Sequence, residues 1–280
     1  MLLRGLAALA DAANSHRALP AFSVYNLETV QAIVVAGERT GLPVIVNAGS
    51  SAFRHSGRNE LASLALDAAA SSSTPVGVHL DHSRSLEEIF ACLELGYTSV
   101  MIDGSDLAFS DNVRLTKQVV ERAHDMGAWV EAELVGLSGD EDVSTNAVSS
   151  AMTDPALAEE FVAATDVDAL AVAIGNVHGL TSTSPVLDLE RLEEIGRRVN
   201  IPLVLHGASG LPHEMVLACL DRRVAKVNVN AELRRAFLGG VEEALPKALE
   251  VNDLVAVLGA GREAVSEVAT GILRLLARAE

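Results

Sequence analysis

Apolar runs rich in β-branched and small residues recur at regular intervals along the chain and predict eight β-strands. The predicted strands span residues 21–25, 44–47, 76–80, 99–102, 129–134, 169–174, 203–205 and 225–229. Most of these runs are almost continuously apolar, as in parallel strands that are buried on both faces. Segments with a helical spacing of apolar residues lie between them, including residues 27–40, 61–71, 86–95, 112–126, 188–199 and 214–220.

This alternation of strands and helices predicts a (β/α)8 barrel, the TIM barrel of the α/β class, formed by residues 1–280 as a single domain. A doubly wound parallel sheet is the alternative. That fold would need a glycine-rich phosphate-binding turn after its first strand, and residues 23–28 contain no glycine.

The connection after the fifth predicted strand, residues 135–153, is acidic, contains glycine and serine, and is long for a strand-to-helix link. Long loops at the C-terminal end of a barrel commonly cover an active site. We therefore predict a mobile lid here, with residues 138–149 poorly ordered until a ligand binds.

Charge and cysteine content narrow the possible functions. The chain has 21 Lys+Arg and 38 Asp+Glu, a formal net charge of −17, which argues against binding to nucleic acid or to an anionic membrane surface. No segment reaches the roughly 20 apolar residues of a membrane-spanning helix. The two cysteines, Cys92 and Cys219, cannot form a disulfide scaffold, so we expect a reducing cytoplasm.

Three of the eight histidines follow three different predicted strands at the same level: His82, His178 and His206. Active sites of barrels form at the C-terminal ends of the strands, and three imidazoles with an open fourth position make a catalytic zinc site. The alternative for any single histidine is an ordinary hydrogen bond. We adopt that alternative for the histidines in helical or loop patterns, which are His16, His55, His124 and His213.

Carboxylates lie beside these histidines. Asp81 precedes His82, where it can either orient a metal-binding histidine or act as a general acid and base, and we favour the second role. Glu131 and Glu133 face the same side of the fifth strand. For Glu131 we expect an internal hydrogen-bond or ion-pair network, because buried carboxylates need partners. His79 is expected to pack or hydrogen-bond inside the barrel.

Small residues follow two of the histidines, namely Gly179 and the run Gly207-Ala208-Ser209-Gly210. Such residues leave backbone N–H groups open to an anion, and phosphate sites recur in the last loops of barrels. Ordinary tight turns are the alternative. Ser209 between small residues favours an anion site.

Taken together, these motifs resemble the class II, zinc-dependent ketose-bisphosphate aldolases, the group that contains fructose- and tagatose-bisphosphate aldolases. The resemblance covers nearly the whole chain. Its motifs are PAFSVYNLET (20–29), HLDHS (79–83), SVMIDGS (99–105), VEAEL (130–134), GDED (139–142), AVAIGNVHG (171–179), IPLVLHGASGL (201–211) and KVNVN (226–230). So many motifs in one order are specific for the superfamily and less specific for the substrate.

The resemblance implies a role for each matching residue. The three histidines would bind Zn²⁺, and Asp103 and Glu133 would lie near an alternative metal position. Asp81 would handle the C4 hydroxyl proton, Asn228 would steady the enediolate, and Glu141 of the long loop would exchange the C3 proton. The residues implied in substrate binding are Gly179, Gly207, Ala208, Ser209, Val229, Asn230 and Ala231. The resemblance also implies a sugar or sugar phosphate substrate, a homodimer or homotetramer, and room for a monovalent cation such as Na⁺ or K⁺.

Several phosphate contacts of the family are missing. The family commonly has Asn at the position of Ser23, a hydroxyl residue at Gly49 and Thr at Ala231. Its distal-phosphate arginine aligns with Val255. Each charge-assisted contact is worth roughly 1.5–3 kcal/mol, so these losses predict a substrate with fewer phosphates. Candidate replacement cations are Arg54, Arg58, Arg234 and Arg262.

Our first hypothesis is therefore a zinc-dependent class II aldolase that cleaves the C3–C4 bond of a ketose or ketose phosphate. A standard fructose- or tagatose-1,6-bisphosphate aldolase is the nearest alternative. A non-catalytic, accessory or sugar-binding homologue and a different metal-dependent barrel lyase or epimerase are the alternatives of other classes.

Overall fold

Eight parallel strands close into a barrel in sequence order in the computed structural model, which describes residues 1–137, 151–179 and 185–279. Each strand pairs with the next along the chain, and the first pairs with the last. The strands are β1 Leu19–Ser23, β2 Val44–Gly49, β3 Val76–Ser83, β4 Ser99–Asp103, β5 Trp129–Glu133, β6 Ala169–Ala171, β7 Leu203–Leu205 and β8 Val224–Val229. The predicted TIM barrel is confirmed, and the doubly wound sheet is excluded.

Helices surround the barrel. Those in the described residues are α1 Ala7–Asn14, α2 Leu27–Thr40, α3 Ser50–Ser56, α4 Arg58–Ser71, α5 Leu86–Leu95, α6 Phe109–Asp125, α7 Pro155–Thr165, α8 Leu189–Arg198, α9 His213–Leu220, α10 Ala231–Val251 and α11 Leu254–Ala277. Helix α2 has the predicted bounds because its ends carry strong local signals. The Asn26 side chain caps its N-terminus, and Gly41 ends it in the left-handed region at φ 68°.

The sixth strand is shorter than predicted, since β6 ends at Ala171 rather than at residue 174. Beyond Ala171, the side chain of Asn176 takes the place of backbone hydrogen bonds between strands. Its Oδ1 accepts a hydrogen bond from the Ile174 amide at 2.8 Å, and its Nδ2 donates one to the His206 carbonyl at 2.9 Å. The apolar pattern of the sequence does not reveal this replacement of backbone hydrogen bonds by side-chain hydrogen bonds, because the residues involved remain buried.

The buried apolar residues in the described part of the chain form two cores. The larger one lies between the strands and the surrounding helices. The smaller one combines strand residues such as Ile45, Met101 and Trp129 with Leu9 and Ala12 of α1. Helix α1 therefore packs against the strand residues of this smaller core, and the site described below is built from the other ends of the strands.

No helix in the described part of the chain is long and apolar enough to cross a membrane. The lid predicted at residues 138–149, and with it Glu141, lies outside the described residues.

Candidate active site

A bulge in β3 brings two consecutive side chains, Asp81 and His82, to the same cavity. Leu80 pairs with Val100, but Ser83 pairs with Ile102, so β3 has one extra residue at this point. His82 has a φ of 42°, in the left-handed region that non-glycine residues adopt at a cost in free energy. Neighbouring residues of a regular strand face opposite sides, and the bulge removes that restriction.

The three predicted histidines meet at one point. Ring nitrogens of His82, His178 and His206 all lie within 4.8 Å of one another. His82 Nε2 is 2.7 Å from His206 Nδ1, and the ring centroids of His82 and His178 are 5.0 Å apart. Three imidazoles from three different strand ends therefore form a group that could hold a metal ion.

A buried carboxylate orients His206. Glu131 Oε1 lies 2.6 Å from His206 Nε2, and both side chains are almost completely buried. A carboxylate accepts the Nε2–H, which leaves the Nδ1 lone pair facing the other histidines. Burial raises the pKa of Glu131, but attraction to Lys226, the hydrogen bond to His206 and nearby imidazoles together lower the pKa below its ordinary range. The expected internal network of Glu131 is therefore present.

His79 also packs as predicted. Its Nδ1 is 2.8 Å from Ser99 Oγ, and its ring stacks on Trp129. Burial, followed by repulsion from Lys226, lowers the pKa of His79, so this histidine is neutral inside the barrel.

Two amides hold the Asp81 carboxylate. Asn47 Nδ2 donates to Asp81 Oδ2 at 2.7 Å, and Asn228 Nδ2 lies 3.2 Å from both carboxylate oxygens. Asp81 is 5% exposed and lines the cavity, so it is accessible to a substrate yet fixed in direction. A carboxylate held in this way can accept a proton from a bound hydroxyl group.

A second group that could hold a metal consists of His82, Asp103 and Glu133. Glu133 Oε1 is buried and has no hydrogen-bond partner among the described residues. Burial raises the pKa of Glu133 to about 7, repulsion from Asp103 and Glu131 adds to the shift, and His82 and His206 oppose it. Glu133 Oε2 lies 3.6 Å from His82 Nδ1, and no Lys or Arg among the described residues pairs with Glu133. Such a buried carboxyl group fits a site in which a divalent cation supplies the charge.

Arg84 is the cation of the cavity, and the sequence reasoning missed it. Its guanidinium contacts Asp103 at 2.9 Å through two nitrogens and also pairs with Asp106. Arg84 is the one arginine among the described cavity-lining residues, whereas Arg262 instead bonds Gln31 outside the cavity. The sequence signal that could have identified Arg84 is its position two residues after His82. The other proposed replacement cations, Arg54, Arg58 and Arg234, do not belong to the described cavity lining either.

The glycine-rich loop after β7 already engages a carboxylate. Ser209 Oγ donates to Glu232 Oε2 at 2.6 Å, and the Gly210 amide donates to Glu232 Oε1 at 2.9 Å. Gly207 has a φ of 60°, and a Cβ there would lie 2.2 Å from the Val177 carbonyl oxygen, so a side chain is excluded. The loop therefore presents donors suited to an anion, and Glu232 is their partner in this structure.

Of the other residues predicted to bind substrate, Val229, Ala231 and Gly179 are not among the described residues that line the cavity. Asn230 lines the cavity and accepts a hydrogen bond from the Tyr25 hydroxyl at 2.9 Å. Val229 ends β8 and Ala231 begins α10, and both are buried. Gly179, with a φ of 79°, directly follows His178. The cavity itself has a volume of about 280 Å³ and is bordered by Ser50 and Ser51 in addition to the residues already named.

Comparison with known proteins shows the family of this chain. The family described as fructose-bisphosphate aldolase class II matches residues 4–280, so the chain belongs to that family, whose members are lyases. The YdjI aldolase from Escherichia coli K12 is 32% identical, with 100% of each chain covered and a TM-score of 0.86. A candidate fructose-1,6-biphosphate aldolase from Coccidioides immitis is also 32% identical, with 97% of this chain and 98% of that chain covered and a TM-score of 0.82. Fructose-bisphosphate aldolase from Campylobacter jejuni is 19% identical, covers 98% of this chain and 95% of that chain, and supports the fold with a TM-score of 0.81.

Proposed function

We propose that the protein is a zinc-dependent class II aldolase. It would cleave the C3–C4 bond of a ketose or ketose phosphate reversibly, giving a dihydroxyacetone or dihydroxyacetone phosphate fragment and an aldehyde. The observation that carries this proposal is the meeting of three imidazoles beside a cavity that is lined by two of them, His82 and His178, and by the fixed, accessible Asp81 carboxylate. A non-catalytic homologue would have no need to keep this combination.

His82, His178 and His206 would hold the zinc ion. The donor set fits zinc because imidazole nitrogens are preferred zinc ligands, and the Glu131 carboxylate fixes the tautomer that His206 needs. When bound, zinc supplies Lewis acidity that polarises the C2 carbonyl of the substrate. Asp103 and Glu133 belong to the alternative metal position, and the optional Na⁺ or K⁺ stays a prediction from the resemblance.

The protein residues would carry out the proton transfers. Asp81 would remove the proton of the C4 hydroxyl group as the C3–C4 bond breaks, while Asn47 and Asn228 keep its carboxylate directed at the substrate. The second N–H of the Asn228 amide would donate to the enediolate oxygen that gains negative charge. Glu141 would exchange the C3 proton, a role that rests on the resemblance alone.

The cavity favours a substrate without a phosphate at its aldehyde end. Arg84 is paired with the carboxylates of Asp103 and Asp106 and therefore offers little net positive charge to a second phosphate. Gly49 contributes no hydroxyl group at the end of β2, although Ser50 and Ser51 beside it border the cavity, and Ser50 Oγ already donates to Glu88 at 2.8 Å. We therefore propose a ketose 1-phosphate or an unphosphorylated ketose. A 1-phosphate at the Gly207–Ser209 loop would have to displace the Glu232 carboxylate from Ser209 Oγ.

The oligomeric state and the cellular location are also part of the proposal. We propose a homodimer or homotetramer, supported by exposed apolar side chains of α10 and α11 such as Leu249, Leu254 and Val255. The cytoplasmic location rests on the cysteine content, and both cysteines are free and buried.

Product analysis tests the proposed reaction. Incubation of the zinc-loaded protein with a panel of ketoses and ketose 1-phosphates should release a three-carbon dihydroxyacetone-type fragment, identified by NMR. Isomerised or epimerised sugars without a three-carbon product would instead indicate a different barrel enzyme. Binding without any chemical change, over the whole panel, would indicate the sugar-binding homologue.

A further inference from the structure

Lys226 is completely buried inside the barrel. It lies on β8, two residues before Asn228, so that both side chains point to the same face of the strand. A buried ammonium group loses its hydration, and it is tolerated only where polar partners replace the lost water. The contacts of the Lys226 ammonium group therefore explain how its burial is tolerated.

The ammonium group of Lys226 joins two parts of the site. Its Nζ lies 2.7 Å from Asn228 Oδ1 and 2.8 Å from Glu131 Oε2. Through Asn228 it reaches Asp81, and through Glu131 it reaches His206. The proposed base and a proposed zinc ligand are thus the two ends of one buried polar chain.

The first arm of this chain fixes the direction of the Asn228 amide. An ammonium group can only donate hydrogen bonds and a carboxylate can only accept them. Asn228 must therefore turn its oxygen to Lys226 and its nitrogen to Asp81. The opposite orientation would place N–H groups against the ammonium and an oxygen against the Asp81 carboxylate, two repulsive contacts.

The second arm acts on His206. Glu131 directs Oε2 to the Lys226 ammonium and Oε1 to His206 Nε2. Lys226 thereby keeps a negatively charged acceptor at Nε2, which holds the proton there. The Nδ1 lone pair of His206 then faces His82 Nε2, at 2.7 Å.

We propose that Lys226 is a positioning residue that fixes the hydrogen-bond direction at both ends of the site, the Asn228 donor and the His206 tautomer. The expected effect on catalysis rests on the proposed function. The His206 tautomer does not, because it is present without any substrate. A buried charge that only stabilises the fold is the competing explanation.

Two variants separate these explanations. Lys226→Met leaves Glu131 buried without its cation, so this variant can fail to fold. The double variant Lys226→Met/Glu131→Gln removes both charges together, keeps the buried region neutral and should melt close to wild type. Thr165→Val controls for the loss of a buried hydrogen bond, because Thr165 is also buried and bonds the Phe161 carbonyl at 2.8 Å. Glu131→Gln is the second control, because it removes the carboxylate beside His206 while Lys226 remains.

Three measurements are made on the double variant and on the two controls. Histidine ¹⁵N NMR of metal-free wild type should show His206 protonated at Nε2, and the double variant should show a mixture of tautomers. Competition with a chelator should give about a tenfold to hundredfold weaker zinc affinity in the double variant. At saturating zinc, kcat should fall about a hundredfold while KM changes little, because the Asn228 amide keeps its contact with Asp81 but loses the Lys226 contact that fixes its oxygen.

A folded double variant that matches wild type in tautomer, zinc affinity and kcat, or that departs from wild type no further than Glu131→Gln does, would overturn the proposal and leave Lys226 as a structural charge. Failure of the proposed function looks different. In that case wild type would cleave no ketose, while the His206 tautomer and the zinc affinity would still respond to the double variant.

Discussion

Asn228 Nδ2 lies 3.2 Å from both carboxylate oxygens of Asp81, although their strands, β8 and β3, are not neighbours in the barrel. The barrel interior brings them together, because side chains from all eight strands converge on its axis. The proposed base is consequently held from two sides, by Asn228 and by Asn47, before any substrate binds. Such fixed geometry lowers the reorganisation needed for proton transfer.

Asp81→Asn should keep the fold and the zinc content but lose cleavage, since an amide cannot accept the C4 hydroxyl proton. General acid–base catalysis contributes about 10²–10⁴-fold, so kcat should fall by that factor. Zinc analysis and a melting curve on the same preparation exclude loss of metal or of the fold. Activity within a few-fold of wild type would remove Asp81 as the base.

Replacing a zinc ligand should lower the zinc content. His178→Ala and His206→Ala each remove one of the three imidazoles that meet at the centre. His124→Ala is the matched control, because His124 pairs with Asp168 away from the cavity, at 2.8 Å. Elemental analysis of the purified variants should give full zinc for the control and reduced zinc for the other two. Full occupancy in His178→Ala or His206→Ala would exclude that residue from the ligand set.

The stability of the metal-free protein should depend on Glu133. Burial raises the pKa of Glu133 to about 7 in the folded protein, from an ordinary value of 4.5. A carboxyl group with a raised pKa stabilises the folded state while it is protonated, and that contribution disappears as the pH rises through 7. Between about pH 5.5 and about pH 8, this group alone should remove about 2 kcal/mol from the free energy of unfolding.

Glu133→Gln isolates this contribution, because glutamine does not titrate and other groups remain in both proteins. Urea unfolding of metal-free wild type and Glu133→Gln at the two pH values should give a smaller loss of stability in the variant. If the free energies of unfolding of the two proteins change in parallel with pH, the raised pKa of Glu133 is wrong.

Much of this arrangement was predictable from the sequence. The strand–helix alternation predicted the barrel, and the position of His82, His178 and His206 after three apolar runs predicted that they meet. The bulge in β3 was not predictable. The residues around Asp81 would be buried with or without the extra residue, and no glycine marks the position of the bulge. The contacts of Lys226 and Arg84 were not predictable either, because they depend on how far these side chains extend toward residues that are distant in the sequence. The spacing of apolar residues carries no information about such contacts.

Substrate preference follows from the phosphate contacts. Val255, which the resemblance aligns with the arginine of the family motif, is 81% exposed, and Arg84 is already paired with two carboxylates. A ketose 1-phosphate or an unphosphorylated ketose should therefore be cleaved with a higher kcat/KM than fructose or tagatose 1,6-bisphosphate. Side-by-side kinetics with the four substrate types check this ranking. A preference for a bisphosphate above about tenfold, equivalent to about 1.4 kcal/mol in transition-state binding, would favour the standard bisphosphate aldolase.

The dependence of C3–C4 cleavage on zinc tests the central proposal most directly. The protein is stripped with a chelator, dialysed, and titrated with zinc while release of the three-carbon fragment from the preferred ketose is followed. We predict that the stripped protein is inactive and that activity returns in proportion to zinc, reaching its maximum at one ion per chain. Cleavage that is equally fast in the stripped protein, or zinc-loaded protein that cleaves no ketose, would contradict a zinc-dependent aldolase.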